Sequence, residues 1–79
     1  MTLTLMTRLY CSLCTDMQAQ LQALQSEFTF DLVVFDVDAD PALEAKYDEL
    51  VPVLLADETE LCHWHLDVAK VRAYLTNMG

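Results

Sequence analysis

Hydrophobic and polar residues alternate at the start of the chain, and their period changes after the first ten residues. Leu3, Leu5 and the alternation that continues through Tyr10 predict a β-strand. From about Ser12 to Ser26 the apolar positions recur at steps of three and four, which predicts an amphipathic helix. Its buried stripe consists of Cys14, Met17, Leu21, Leu24 and Phe28.

The middle of the chain predicts a second strand and a short helix. The stretch FTFDLVVFDVDAD has apolar residues on both alternating faces, which is typical of a strand covered on both sides. Asp40-Pro41 is a helix start, with an N-cap followed by proline at the first helical position. This helix carries Leu43 and Tyr47 and ends before Val51-Pro52.

The last third predicts a β-hairpin and a closing helix. PVLLA is a strand, DET a tight turn and ELCHW a returning antiparallel strand. Asp67 caps the last helix, whose buried stripe consists of Val68, Val71, Tyr74, Leu75 and Met78. The element order is βαβαββα, so we expect an α/β fold in which helices flank a four-stranded mixed sheet. The 79 residues form one domain, 1–79.

The charge of the chain narrows the range of partners and compartments. Four Lys and Arg residues stand against thirteen Asp and Glu residues, for a net charge of −9. We therefore expect neither nucleic acid nor an anionic membrane surface as a partner. The N-terminal residues lack the pattern of a signal peptide, and no apolar run approaches the length of a membrane span. We expect a monomer in the cytoplasm, where a permanent structural disulfide is disfavoured.

Two cysteines at the start of the first predicted helix are the candidate chemistry. Cys11 and Cys14 form a C-x-x-C motif, a spacing that serves redox couples, halves of metal sites and surface disulfides alike. The spacing alone leaves these three uses open.

The arrangement of motifs resembles the glutaredoxin-like branch of the thioredoxin fold, in particular small bacterial glutaredoxin-like proteins. The resemblance rests on the Cys11/Cys14 pair at a strand–helix junction, Val51-Pro52 before the third strand, the hairpin and the closing helix. It implies a cis peptide bond at Pro52, close to the cysteines. The chain departs from the common pattern in three places. Ser12-Leu13 separates the cysteines, Leu50 precedes Val51-Pro52 where the family commonly has threonine, and CHWHLD replaces a glycine pair and ends in Asp67.

The resemblance implies a thiol–disulfide oxidoreductase without a required cofactor. A helix N-terminus stabilises a thiolate, so Cys11 is the expected nucleophile and Cys14 the resolving thiol, within the buried stripe. Arg8 is expected to stabilise the thiolate or hold a substrate carboxylate, and Tyr10 to line the groove. The backbone at Val51, next to Pro52, is expected to be free to pair with an extended substrate. Asp67 is expected to help bind glutathione.

The partner and three other functions stay open. The substrate is a disulfide-containing protein or a glutathione mixed disulfide, and glutathione is one possible reductant. Cys62, His63 and His65 together with the C-x-x-C pair supply ligand types for zinc, although the strand geometry places Cys62 away from Cys11. We therefore expect no metal site. An iron–sulfur scaffold, which Ser12 permits, and a non-catalytic binding module are the remaining alternatives.

Overall fold

A computed structural model describes residues 2–57 and 59–78, and it has the predicted element order. The strands are β1 (Thr2–Thr7), β2 (Asp31–Asp36), β3 (Val53–Ala56) and β4 (Thr59–His63). The helices are α1 (Ser12–Leu24), α2 (Pro41–Tyr47) and α3 (Val68–Met78), and a 3₁₀ turn occupies Val37–Ala39. The strand order is β2-β1-β3-β4. Strands β1 and β2 are parallel, and the β1–β3 and β3–β4 pairs are antiparallel, so the predicted mixed sheet is confirmed.

A hydrophobic core lies on each face of the sheet. Helices α1 and α3 pack against one face, where Leu5, Leu21, Leu54 and Val71 are fully buried. Helix α2 and the 3₁₀ turn pack against the other face, around Val53 and other buried residues. Since successive strand residues point to opposite faces, neighbours in β3 enter different cores. The helices therefore flank the sheet as predicted.

The prediction that β2 is covered on both sides is wrong. Strand β2 lies at the edge of the sheet, and Val33, Val34 and Phe35 are 39%, 41% and 47% exposed. The helices cover the central strands β1 and β3, and α2 has only seven residues. Strand β2 is therefore an exposed edge strand, although it has apolar residues on both faces.

Two element ends and the burial of one helix residue also differ from the predictions. Strand β1 ends at Thr7 rather than Tyr10, and α1 ends at Leu24 rather than Ser26. Val68 belongs to α3 but is 41% exposed, so it lies outside the buried stripe. The side chain of Met78, predicted to lie in the buried stripe, is outside the side chains that the structure describes.

Two predicted helix caps are confirmed. Asp40 Oδ1 accepts a hydrogen bond from the Ala42 backbone N–H at 2.9 Å, at the start of α2. Asp67 Oδ1 accepts from the Lys70 N–H at 3.1 Å, at the start of α3. These bonds satisfy N–H groups that have no partner within the helix.

Candidate functional site: the Cys11–Cys14 pair and its groove

The two cysteines lie at the N-terminus of α1, just beyond the end of β1. Cys11 is the N-cap residue, with extended backbone, and Cys14 lies in the first turn. The pair is joined as a disulfide, with its Cα atoms 5.2 Å apart. Cys14 is 3% exposed and Cys11 is half-buried, which confirms the predicted difference in exposure. An incoming group therefore has access to Cys11 rather than Cys14.

A backbone amide is directed at the Cys11 sulfur. The Cys14 N–H donates to Cys11 Sγ at 3.2 Å, and the Thr15 N–H donates to the Cys11 carbonyl at the same distance. The sulfur thus takes the place of the oxygen acceptor that usually caps a helix. A hydrogen-bond donor and the positive end of the helix dipole both favour negative charge at this position.

An open groove of about 480 Å³ lies beside Cys11. The structure brings four of the predicted site residues together there: Arg8, Tyr10, Cys11 and Val51. Asp48 also lines the groove and was not predicted from the sequence. Nothing in the pattern around Asp48 distinguishes it from the other twelve acidic residues, because its role depends on the fold.

Arg8 is neutralised by carboxylates of its own chain. Its Nη2 lies 3.1 Å from Asp38 Oδ1, its Nε donates to Asp38 Oδ2 at 3.3 Å, and its Nη1 pairs with Asp48 Oδ1. The hydrogen bond to Asp38 and the charges of Asp38 and Asp48 raise the pKa of Arg8 above its ordinary value. Arg8 therefore lines the groove without an uncompensated positive charge.

The segment that leads into β3 forms one wall of the groove. The Val51–Pro52 peptide bond is cis, as the resemblance implied, and Pro52 is fully buried. The Val51 N–H donates to the Tyr47 carbonyl at 3.1 Å, and the Leu50 N–H donates to the same oxygen at 2.9 Å. The expectation that this backbone is free for a substrate is therefore wrong for the Val51 N–H. The last carbonyl groups of a helix have no hydrogen-bond partner within it, and at the end of α2 these two N–H groups satisfy the carbonyl of Tyr47.

The loop after β4 is held against the segment that leads into β3. Trp64 Nε1 donates to the Glu49 carbonyl and the Trp64 backbone N–H to the Pro52 carbonyl, both at 2.9 Å. Trp64 has a φ of 63° and is half-exposed. A small cleft between this loop and α1 is lined by Leu13 and Asp16 as well as Trp64. Trp64 thus ties together two segments beside a cleft that shares Leu13 with the groove.

Asp67 and Cys62 do not belong to the groove. Among the described residues, Asp67 is absent from the groove lining and caps α3 instead. Cys62 is a free thiol, half-buried against the main core, and burial raises its pKa above the ordinary value. In residues 2–57 and 59–78, no group of three or more His, Cys, Asp or Glu side chains is arranged to hold a metal ion.

Comparisons with known proteins agree with this architecture. The Glutaredoxin-like domain family (DUF836) matches residues 2–76. An uncharacterized protein of Mycobacterium tuberculosis is 36% identical over 74 residues, which cover 87% of this chain and 76% of that protein. A Nitrosomonas europaea protein solved by solution NMR is 39% identical, with a TM-score of 0.84, over 94% of this chain and 89% of that chain.

A more distant structure shows the fold alone. Thioredoxin 1 from Thermosipho africanus is 24% identical, with a TM-score of 0.67, over 99% of this chain and 98% of that chain. The four-stranded mixed sheet and three helices are thus thioredoxin-like. With its family match over almost the whole length, the chain belongs to the glutaredoxin-like domain family.

Proposed function

We propose that the protein is a thiol–disulfide oxidoreductase in which Cys11 is the nucleophile and Cys14 the resolving thiol. One observation carries this proposal: Cys11 lines an open groove and its Sγ accepts the Cys14 backbone N–H, whereas the Cys14 side chain is buried. The more accessible cysteine is therefore the one whose thiolate the helix N-terminus stabilises.

The reaction is two successive exchanges. The Cys11 thiolate attacks one sulfur of a substrate disulfide, forms a mixed disulfide and releases the other sulfur as a thiolate that takes up a proton. The Cys14 thiol loses its proton and attacks Cys11 Sγ, which releases the second substrate sulfur. Two electrons pass from the Cys11–Cys14 dithiol to the substrate. A thiol reductant, glutathione or a dithiol protein, returns the pair to the reduced form.

The remaining residues of the groove position the substrate. Arg8, Tyr10 and Val51 line it, Pro52 is buried next to Val51 behind a cis peptide bond, and Asp67 acts at a distance by fixing the start of α3. The substrate is a protein disulfide or a glutathione mixed disulfide, and no cofactor is required. We propose that the protein acts in the cytoplasm, because a reducing compartment suits a cysteine pair that cycles between dithiol and disulfide. We also propose that it acts as a monomer. No helix in the described part of the chain is long and apolar enough to span a lipid bilayer.

The test combines turnover, a redox titration and a spectrum. Wild type should reduce a mixed disulfide of a peptide with a small thiol, whereas Cys11→Ser should not. Cys14→Ser should accumulate a covalent adduct through Cys11, visible by mass spectrometry. A glutathionyl mixed disulfide, run in parallel, measures the use of glutathione.

Two results would contradict the proposal. Absence of turnover together with a titration lacking a two-electron couple would favour the binding module. An ultraviolet–visible spectrum of a cluster, or bound zinc in the anaerobically purified protein, would favour a metal scaffold.

A further inference from the structure

The charged side chains at the groove leave negative charge beside Cys11. One positive charge, on Arg8, faces the two carboxylates of Asp38 and Asp48. Asp16 lines the neighbouring cleft, which shares Leu13 with the groove. The net charge of −9 gives the long-range field the same sign. An anionic substrate is therefore disfavoured both during approach and in the groove.

The other basic side chains do not offset this charge. Arg72 pairs with Glu27 at 2.5 Å, and the Lys46 ammonium lies 5.3 Å from the centre of the Tyr47 ring. Neither these residues nor Lys70 lines the groove in the described part of the chain. Arg8 is thus the one basic residue of the groove, and its charge is compensated.

Two apolar side chains stand on the rim of the groove. Leu9 is 69% exposed and Tyr10 is fully exposed. Tyr10 has a φ of 61°, in the left-handed region that a bulky residue rarely occupies. Tyrosine is enriched among the residues that contribute most of the binding energy in protein–protein interfaces. A polypeptide also covers Leu9 and Tyr10 more completely than a small thiol does.

Asp48 is the carboxylate best placed to contact such a partner. It follows the last residue of α2, and its backbone N–H donates to the Glu44 carbonyl at 2.9 Å. Its Oδ1 is paired with Arg8, and its side chain is 48% exposed. Within the described residues, Asp48 Oδ2 has no hydrogen-bond partner. This oxygen is therefore available to a cationic group in the groove.

We propose that Asp48 is a specificity-determining residue, and that it makes the groove favour polypeptides whose disulfide cysteine is flanked by positively charged side chains. This inference rests on the proposed disulfide exchange at Cys11. A lysine or arginine beside the substrate cysteine gains the attraction of Asp48, and a neighbouring apolar side chain covers Tyr10. Glutathionyl disulfides, which are anionic, are the less favoured class.

The experiment uses three peptides that differ only in charge. Each carries one cysteine, disulfide-linked to the neutral thiol 2-mercaptoethanol, and the flanking residues are lysine, glutamine or glutamate. The reduced protein transfers two electrons to each peptide disulfide, and the release of peptide thiol gives the rate. Each rate is divided by that of dithiothreitol on the same peptide, which removes the intrinsic effect of the flanking charge.

Three variants separate Asp48 from the overall charge. Asp48→Asn removes the charge, and Asp48→Glu keeps it. Asp57→Asn makes the same change in net charge at the β3–β4 turn, at the end of the sheet opposite Cys11. Asp57 has a φ of 54°, which asparagine tolerates.

Wild type should prefer the lysine peptide over the glutamine peptide, and the glutamine peptide over the glutamate peptide. One unit charge roughly 8 Å from another changes a rate by about twofold at the dielectric constant of water and by about thirtyfold at the effective value of about 20 near a protein surface, so Asp48→Asn should reduce each preference by a factor in this range. Asp48→Glu and Asp57→Asn should retain the preferences. Raising the ionic strength to about 1 M, where the Debye length is about 3 Å, should weaken them in wild type.

Each contrary result overturns a defined part of the reasoning. Equal normalised rates for the three peptides would overturn charge selection while leaving disulfide exchange intact. An equal loss of preference in Asp57→Asn and Asp48→Asn would overturn the role of Asp48. If wild type reduces none of the peptides faster than a protein with both Cys11→Ser and Cys14→Ser, the proposed function fails, and this inference fails with it.

Discussion

The hydrogen bond to the Cys11 sulfur predicts how two substitutions at this position will differ in stability. Cys11→Ser keeps a side-chain acceptor for the Cys14 N–H, whereas Cys11→Ala removes it. Both variants lack the disulfide, so the comparison isolates the cap. Replacing a serine N-cap by alanine costs typically about 1 kcal/mol, and we expect Cys11→Ser to be more stable than Cys11→Ala by that amount.

This difference is large enough to measure in a chain of this size. A domain of 79 residues is typically stable by about 4–12 kcal/mol. With a urea dependence of about 1 kcal/mol per molar, the Cys11→Ser midpoint should lie about 1 M above that of Cys11→Ala. Equilibrium unfolding followed by circular dichroism, with a reductant present, measures both midpoints.

The same pair of substitutions at Cys14 is the matched control. Cys14 is 3% exposed, and a serine there places a hydroxyl in the core. We expect the order to reverse, with Cys14→Ala at least as stable as Cys14→Ser. Equal midpoints for the two Cys11 variants would refute the cap, and with it the physical reason for a stabilised thiolate at Cys11.

Three further predictions concern the rest of the fold. Because burial raises the pKa of Cys62, its alkylation should be slow at neutral pH and accelerate as the pH rises, and pH-independent labelling would contradict this. The contribution of the neutral buried thiol to stability is present below the ordinary pKa of 9.0 and is lost as the pH rises through the raised pKa. Val53→Ala, at a fully buried site, should lower the free energy of unfolding in urea by about 2–3 kcal/mol, whereas Val33→Ala, at the sheet edge, should lower it by less than about 1 kcal/mol. Equal losses would mean that β2 is covered in solution. Trp64→Phe removes the hydrogen bond to the Glu49 carbonyl and should lower the free energy of unfolding by about 1 kcal/mol, whereas an unchanged value would show that this bond does not contribute.

Local sequence patterns were sufficient to predict the order of elements and the position of the cysteine pair at the start of α1. A helix period, an N-cap or a strand alternation involves residues within a few positions of one another, so the chain itself displays them. Asp40 and Asp67 were predicted as caps, and the Cys14 side chain as part of a buried stripe, for this reason. The family resemblance added Pro52 and its cis bond.

The tertiary structure decided which strand lies at the edge and which charges meet. The apolar residues of β2 suit an interior strand equally well, and only the strand order leaves Val33 and Phe35 exposed. Arg8 meets Asp38 and Asp48 across 30 and 40 residues of sequence. Charge compensation depends on distance in space, which neither spacing nor composition records. Arg8, which was predicted from the sequence to stabilise the thiolate or bind a substrate carboxylate, therefore lines a groove in which two carboxylates face its single positive charge.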